Sequence, residues 1–197
     1  MTNLCILDIE SKQLVDFDEP HKAGISCCGV WISWRGGPFG MPLVYDDGNS
    51  AHFGDLLNAA DLVITWNGAR YDMPVLDTLW GPLPEVDHCD LMRDCYEVLG
   101  WRPKLEYVAQ ATLGRGKSGR GDMAPDMYQR GAFGKLHSYC LLDVALTRDL
   151  YFFRETYGFL RTLDKAGKVH MIDFRPPPQA RRVYRGDSIW HKASRVG

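Results

Sequence analysis

The run LCILDIES, residues 4–11, decides how the rest of the chain is read. Leu4, Cys5, Ile6 and Leu7 are consecutively apolar, as in a strand buried on both faces. Asp8 and Glu10 then follow, with Ile9 between them. Alternate residues of a strand share a face, so the two carboxylates project together from positions about 7 Å apart along the backbone. Two such charges repel, and more strongly near a core, where the effective dielectric falls. Two readings are open for this stretch. Either a strand end turns both acids to water, or the pair is held for a divalent cation with a preference for oxygen.

The chain has 197 residues, of which 45% are hydrophobic, and carries a net charge of −2. That length fits one domain with a real core, roughly 70% of the unfolded surface being buried on folding. No apolar run approaches the roughly 20 residues that span a bilayer, so no membrane role is expected, and no secretory signal is visible at the N-terminus. Six cysteines are scattered without a CxxC pair. Cys27 and Cys28, in ISCCGVWISW, read as small core residues. The spacing of His88, Cys89 and Cys95 fits no common structural zinc site. A reduced, cytoplasmic setting follows. The charge is uneven: residues 165–197 hold eight Lys and Arg against two acids, Asp173 and Asp187. An acidic body with a basic end suits an acidic site beside a polyanion; a solvated tail is the alternative.

Strands are expected at 4–9, 24–35 and 41–45, then a helix capped by Asn49 or Ser50 and running to about Ala60. DLVITW, residues 61–66, reads as a short buried strand, and a helix begins within NGARYDMPVLDTLW. Asp90 has the character of an N-cap for a helix through Leu99. PKLEYVAQATLG is a helix closed by Gly114. RGKSGRGDMAPD reads as a glycine-rich loop. The longest helical pattern covers 134–157, with Tyr139, Leu142, Leu146 and Leu150 at helical intervals. Beyond Gly167 a short strand and an extended basic arm are expected. The pattern is that of an α/β domain on one mixed sheet, divided as residues 1–160 and a C-terminal strand and arm, 161–197.

Partners for Asp8 and Glu10 lie in two places. Asn67 and Asp72 follow the strand at 61–66. Tyr139 and Asp143, four apart, share one helix face. Taken singly, Asp143 also reads as a surface acid beside Arg148, Tyr139 as a core aromatic and Asp72 as a helix cap. Together and in this order, the three pieces resemble the exonuclease motifs of the DEDD superfamily of 3′–5′ exonucleases. Asp8-Ile9-Glu10 matches the first motif, Asn67 through Asp72 the second, and Tyr139 through Asp143 the third in its tyrosine form, the DEDDy branch. In the histidine branch His stands five residues before the final Asp; here Ser138 holds that place and His137 is one residue off. One departure is Ser11, where many proofreading relatives carry Thr.

The resemblance, which covers roughly residues 4–157, implies an RNase H-like fold with a mixed central sheet flanked by helices, and a phosphodiester hydrolase working with two Mg²⁺ or Mn²⁺ ions. The donor set agrees, since Asp8, Glu10, Asp72 and Asp143 are hard oxygen ligands. By resemblance, Asp8 bridges both ions, Glu10 and Asp143 complete the site of the attacking water, Asp72 serves the other ion, and Tyr139 orients that water or helps to deprotonate it. Ser11, Asn67 and Tyr71 are expected to touch the terminal nucleotide, and Lys117 and Arg120 to meet backbone phosphates, unless those two simply belong to a solvated loop. Arg175, Arg181, Arg182, Arg185, Lys192 and Arg195, interleaved with aromatics, have the composition of a strand-binding arm. The expected substrate is single-stranded nucleic acid, DNA before RNA. An exoribonuclease, or a catalytically weak binding subunit of a replication or repair complex, is the alternative. The chain is too short to hold a polymerase, so proofreading requires a polymerase or helicase partner.

Overall fold

In a computed structural model the described residues are 3–13, 22–34, 39–116, 123–175 and 182–184. Strand β1 (Leu4–Ser11) is buried on both faces and stands inside a six-stranded sheet. Its neighbours are β2 (Ile25–Ser33), antiparallel, and β4 (Leu62–Thr65), parallel. β3 (Met41–Tyr45) pairs with β2 at one edge. β5 (Val86–Asp90) runs parallel to β4, and β8 (Arg182–Tyr184) closes the other edge antiparallel to β5. The order is β3-β2-β1-β4-β5-β8. The expected mixed sheet flanked by helices is what forms.

The strand alternation sorts the core into two layers. Leu4 and Ile6 point with Trp31 and Ile64 toward α3 (Leu91–Leu99), α4 (Leu105–Leu113) and α6 (Phe133–Tyr157). Cys5, Leu7 and Ile9 point with Val30 toward α1 (Phe53–Asn58) and α2 (Asp72–Leu79). Asp8 and Glu10 belong to the first set and so face α6. A separate hairpin, β6 (Phe159–Leu163) with β7 (Val169–Asp173), buries Leu160 and Ile172 in that layer. Thr112 Oγ1 on α4 donates to Arg161 O and accepts from Arg161 N, both at 2.8 Å. Near the end of α6, buried Arg154 donates to Asp94 at 2.6 Å and to Cys89 Sγ at 3.3 Å, which ties that helix to α3 and β5.

Some expectations need correction. Asn49 does not cap a helix. Its Oδ1 accepts from Asp46 N and its Nδ2 donates to Val44 O, so the side chain closes its own turn. A 3-10 turn, Ser50–His52, intervenes before α1 begins at Phe53. The end of the expected glycine-rich loop is helical, as α5 (Met123–Gln129), where Pro125 is tolerated in the first turn. Strand β5, VDHCD, is not among the strands expected from the sequence, and two of its three buried positions, His88 and Asp90, are polar. The expected caps at Asp90 and Gly114 are present: Asp90 accepts from Arg93 N, and Gly114 is left-handed at φ 69°. No helix among the described residues is long and apolar enough to cross a membrane.

Candidate active site

The site begins where β1 stops being apolar. Asp8 pairs across the sheet with Gly29, and Glu10 with Cys27. The register slips between Glu10 and Ser11, and Ser26, the extra residue on β2, donates its hydroxyl to Glu10 O at 2.9 Å. Such a bulge ends regular pairing and re-aims the side chains beside it. A carboxylate oxygen of Asp8, one of Glu10 and the Sγ of Cys140 all lie within 4.8 Å of one another. The two acids therefore converge, as alternation along β1 requires, and Glu10 is only 7% exposed.

Gly29 is what lets α6 reach them. A Cβ at this position would come within 2.9 Å of Cys140 Sγ and 3.1 Å of Val144 Cγ2. With no Cβ, the helix settles directly on the sheet beside Asp8. Gly29 N donates to Cys140 Sγ at 3.1 Å, and the thiol donates to Asp8 O at 3.4 Å. A hydrogen bond with Cys27, burial and the negative charge of Asp8 hold the Cys140 thiol well above its ordinary pKa, so the sulfur carries its proton. Tyr139 and Asp143 stand on the same helix, at 6% and 3% exposure. Asp143 is thus not a surface acid beside Arg148; Arg148 turns instead to Asp149. His137 is half-buried on another face of α6.

Asp72 arrives from the opposite layer. It is the first residue of α2, and its Oδ1 accepts from Ile9 N at 2.9 Å. That amide lies between Asp8 and Glu10, so one hydrogen bond fixes the second expected motif against the first. Burial pushes the Asp72 carboxyl up to about 7, against the pull of the Ile9 amide, and the charges of Asp90 and Asp143 push the same way. Asp72 is not the N-cap of α2; Tyr71 holds that place. Ser11 and Tyr71 meet through a side-chain hydrogen bond, and burial raises the Tyr71 phenol in spite of it.

Asp90 is a residue that sequence reasoning missed at this site. It had the signal of a helix cap, and it does cap α3, but its carboxylate does more. Oδ1 accepts from Asn67 N at 2.9 Å and Oδ2 from Ala69 N at 3.0 Å. Three backbone amides, counting Arg93 N, thus converge on one buried carboxylate. The loop they hold carries Asn67, Tyr71 and Asp72. Asn67 takes φ 67°, a left-handed conformation that Asn tolerates better than most residues. Thr65 Oγ1 accepts from Gly68 N at 3.1 Å and contacts His88 Nε2 at 2.9 Å. Any Cβ at Gly68 would strike Thr65, so the loop closes only with glycine there. Burial holds His88 down at about 4, hence neutral.

Of the expected site residues, the structure brings Asp8, Glu10, Ser11, Asn67, Tyr71, Asp72, Tyr139 and Asp143 to the region where the end of β1, the loop before α2 and α6 meet. Lys117 and Arg120 lie outside the described residues. So do Arg181, Arg185, Lys192 and Arg195; Arg175 is exposed and paired with Asp173 at 2.9 Å. The side chains of His88, Cys89 and Cys95 form no metal group among the described residues. The only such group there is Asp8, Glu10 and Cys140.

A family model of the RNase H superfamily matches residues 5–151. The chain belongs to the RNase H superfamily. Nine chains of solved structures match it as well. One is a family B DNA polymerase from the hyperthermophilic archaeon Pyrobaculum calidifontis, at 18% identity and a TM-score of 0.59, over 79% of this chain and 25% of that one. This RNase H-like chain therefore spans about a quarter of the length of that polymerase, and the likeness is one of fold. No curated protein matches. RNase H-like nucleases generally use divalent metals. The acids gathered here suit such ions: hard oxygen donors, partly desolvated, with Asp72 held at a pKa that a nearby cation would lower.

Proposed function

We propose that this chain is a metal-dependent 3′–5′ exonuclease of the DEDDy type, acting on single-stranded nucleic acid, DNA before RNA, and releasing nucleoside monophosphates. The observation that carries the reading is the bond from Ile9 N to Asp72 Oδ1, which ties the carboxylate of the second motif to the backbone between Asp8 and Glu10. Asp8, Glu10, Asp72 and Asp143 would hold two Mg²⁺ or Mn²⁺ ions, which supply charge neutralisation at the scissile phosphate and an activated water. Asp8 and Glu10 share the face of β1 that α6 covers, and Asp143 is buried on that helix. Asp72 enters from the α2 side, and its carboxyl feels the charge of Asp143. Tyr139, one helical turn before Asp143, orients the attacking water through its hydroxyl. Ser11 and Tyr71, bonded to each other, border the site and receive the terminal nucleotide, with Asn67 beside them. A separate polymerase or helicase is the partner such an activity would serve.

The test is a 5′-labelled single-stranded DNA oligonucleotide incubated with the protein and Mg²⁺. Stepwise shortening from the 3′ end is expected, with Mn²⁺ substituting for Mg²⁺ and excess EDTA stopping the reaction. Internal cuts, or shortening that persists in excess EDTA, would overturn the reading.

A further inference from the structure

We infer that Lys12 is a strand-binding residue of this site, contacting the backbone phosphate one nucleotide inside the scissile linkage, and that Asp47 holds its ammonium group in place until the strand arrives. The inference rests on the nuclease reading and deepens it by naming what holds the strand beyond its terminal nucleotide. Lys12 follows directly on β1 and stands two residues past Glu10, about 7 Å further along an extended backbone. Its backbone is pinned there: Lys12 N donates to Ala23 O and Gly24 O, both at 3.1 Å. The stem runs over Gly24, where a Cβ would lie 3.1 Å from Lys12 Cδ, so a glycine leaves room for it.

Three elements meet around the ammonium group. Lys12 Nζ donates to Asp47 Oδ2, in the turn after β3, at 2.6 Å, and lies 5.5 Å from the ring centroid of Tyr128 on α5. Asp47 Oδ1 accepts from Trp80 Nε1 at 3.2 Å, so the carboxylate is itself held from the end of α2. The hydrogen bond to Asp47 raises the Lys12 pKa and keeps the amine charged. Tyr128 also packs against the buried cluster that holds Tyr139 and Cys140, so the ammonium group is on the α6 side of the sheet, the side that Asp8 and Glu10 face. The pair is partly open to water, with side-chain exposures of 33% for Lys12 and 61% for Asp47. An ion pair so exposed contributes little to stability and is cheap to exchange. A phosphate offers the same amine another charge-assisted acceptor, and on its arrival Asp47 turns from partner into competitor. With Ser11 and Tyr71 assigned to the terminal nucleotide, the next phosphate of the strand falls to Lys12, the cation that follows Ser11 in the chain.

The experiment measures binding of a 5′-fluorescein-labelled oligothymidylate to the full chain in EDTA, by anisotropy across a series of salt concentrations. Lys12→Met keeps the stem and removes the charge. It should weaken binding and flatten the slope of log affinity against log salt by about 0.7, the share of one phosphate contact on a single strand. Lys12→Arg should restore the slope. Asp47→Asn breaks the same ion pair, keeps an oxygen for Trp80, and should tighten binding. If the pair were only a strut, both substitutions would act alike, through lost order at the end of β1. A second strand carries an uncharged methylphosphonate at the second linkage from its 3′ end, and wild type and Lys12→Met should bind that strand equally. No binding by the wild type, an unchanged salt slope in Lys12→Met, weakening in Asp47→Asn, or an undiminished difference on the methylphosphonate strand would overturn the inference. No arm reads turnover. A protein that shortens strands but whose salt slope ignores Lys12 keeps the proposed function and loses this contact; a Lys12-dependent slope in a protein that cuts nothing keeps the contact while the nuclease reading fails.

Discussion

Asp72 Oδ1 accepts a hydrogen bond from Ile9 N at 2.9 Å, across 63 residues of sequence and from the opposite layer of the sheet. The amide it takes is the one between Asp8 and Glu10. The bond both positions Asp72 and keeps a buried carboxylate from being left without a donor, which is costly in a core.

Asp72 makes the metal-free protein less stable as pH rises. Its carboxyl sits near 7 in the fold, against 3.8 for an ordinary Asp. Between these values the folded chain holds a proton that the unfolded chain has released, so stability falls with rising pH through that window. Asp72→Asn still offers an oxygen to Ile9 N but no longer titrates. In EDTA, thermal melting of the wild type should decline from pH 5 to 7.5 more steeply than that of the variant. Superimposable pH profiles would remove the premise.

His88 contributes the opposite slope. Burial holds it at about 4, below the ordinary 6.5. Between those values the unfolded chain binds a proton that the fold refuses, so this contribution is present above 6.5 and is lost as pH falls toward 4. His88→Gln should flatten the acid side of the melting profile. A profile that stays as steep below pH 6.5 would assign the acid loss elsewhere.

Asp90 acts on the site through the loop it holds. Asp90→Asn keeps the size but turns an NH₂ group toward amides that are themselves donors. The loss should be about 1–3 kcal/mol of stability, the cost of leaving a buried donor unpaired. Metal affinity should fall about 10- to 100-fold, as when an outer partner of a metal ligand is removed. Urea melts and Mg²⁺ titrations read the two effects. Full metal affinity in a destabilised variant would make Asp90 a cap for α3 and nothing more.

Gly29→Ala should cost about 1–3 kcal/mol by overpacking, because its Cβ would lie 2.9 Å from Cys140 Sγ. Pairing it with Cys140→Ala removes the closest clash, so the double variant should lose less than the sum of the singles. Contact with Val144 remains, at 3.1 Å, and keeps the rescue partial. Additive losses in urea midpoints would show that α6 does not seat against Gly29 as described.

Tyr139→Phe deletes a hydroxyl and keeps the buried ring. Metal and strand binding should survive, while turnover falls by about 10²- to 10⁴-fold if the hydroxyl takes part in proton transfer, and less if it only orients water. His137→Ala should cost little, since His137 stands about 200° around the helix from Tyr139. Assayed on one labelled strand at one Mg²⁺ concentration, a silent tyrosine with a dead histidine would overturn the tyrosine-branch assignment.

Local chemistry determined much of this protein. The apolar run before Asp8, the two-residue period that puts Asp8 and Glu10 on one face, the four-residue interval from Tyr139 to Asp143, and the caps at Asp90 and Gly114 all follow from backbone geometry within a few residues. What tertiary structure decided depends on partners far away in the chain. Nothing in VDHCD marks a strand until β4 and β8 flank it, since His88 and Asp90 can be buried there only when Thr65 and the loop amides satisfy them. No periodicity shows that Asp90 grips Asn67 and Ala69, because a cap and a clamp use the same residue type. Gly29 looks like an ordinary strand glycine, and Cys140 like one more core thiol. Their meaning comes from a close approach between residues 111 positions apart, where a missing Cβ brings α6 down onto the acids.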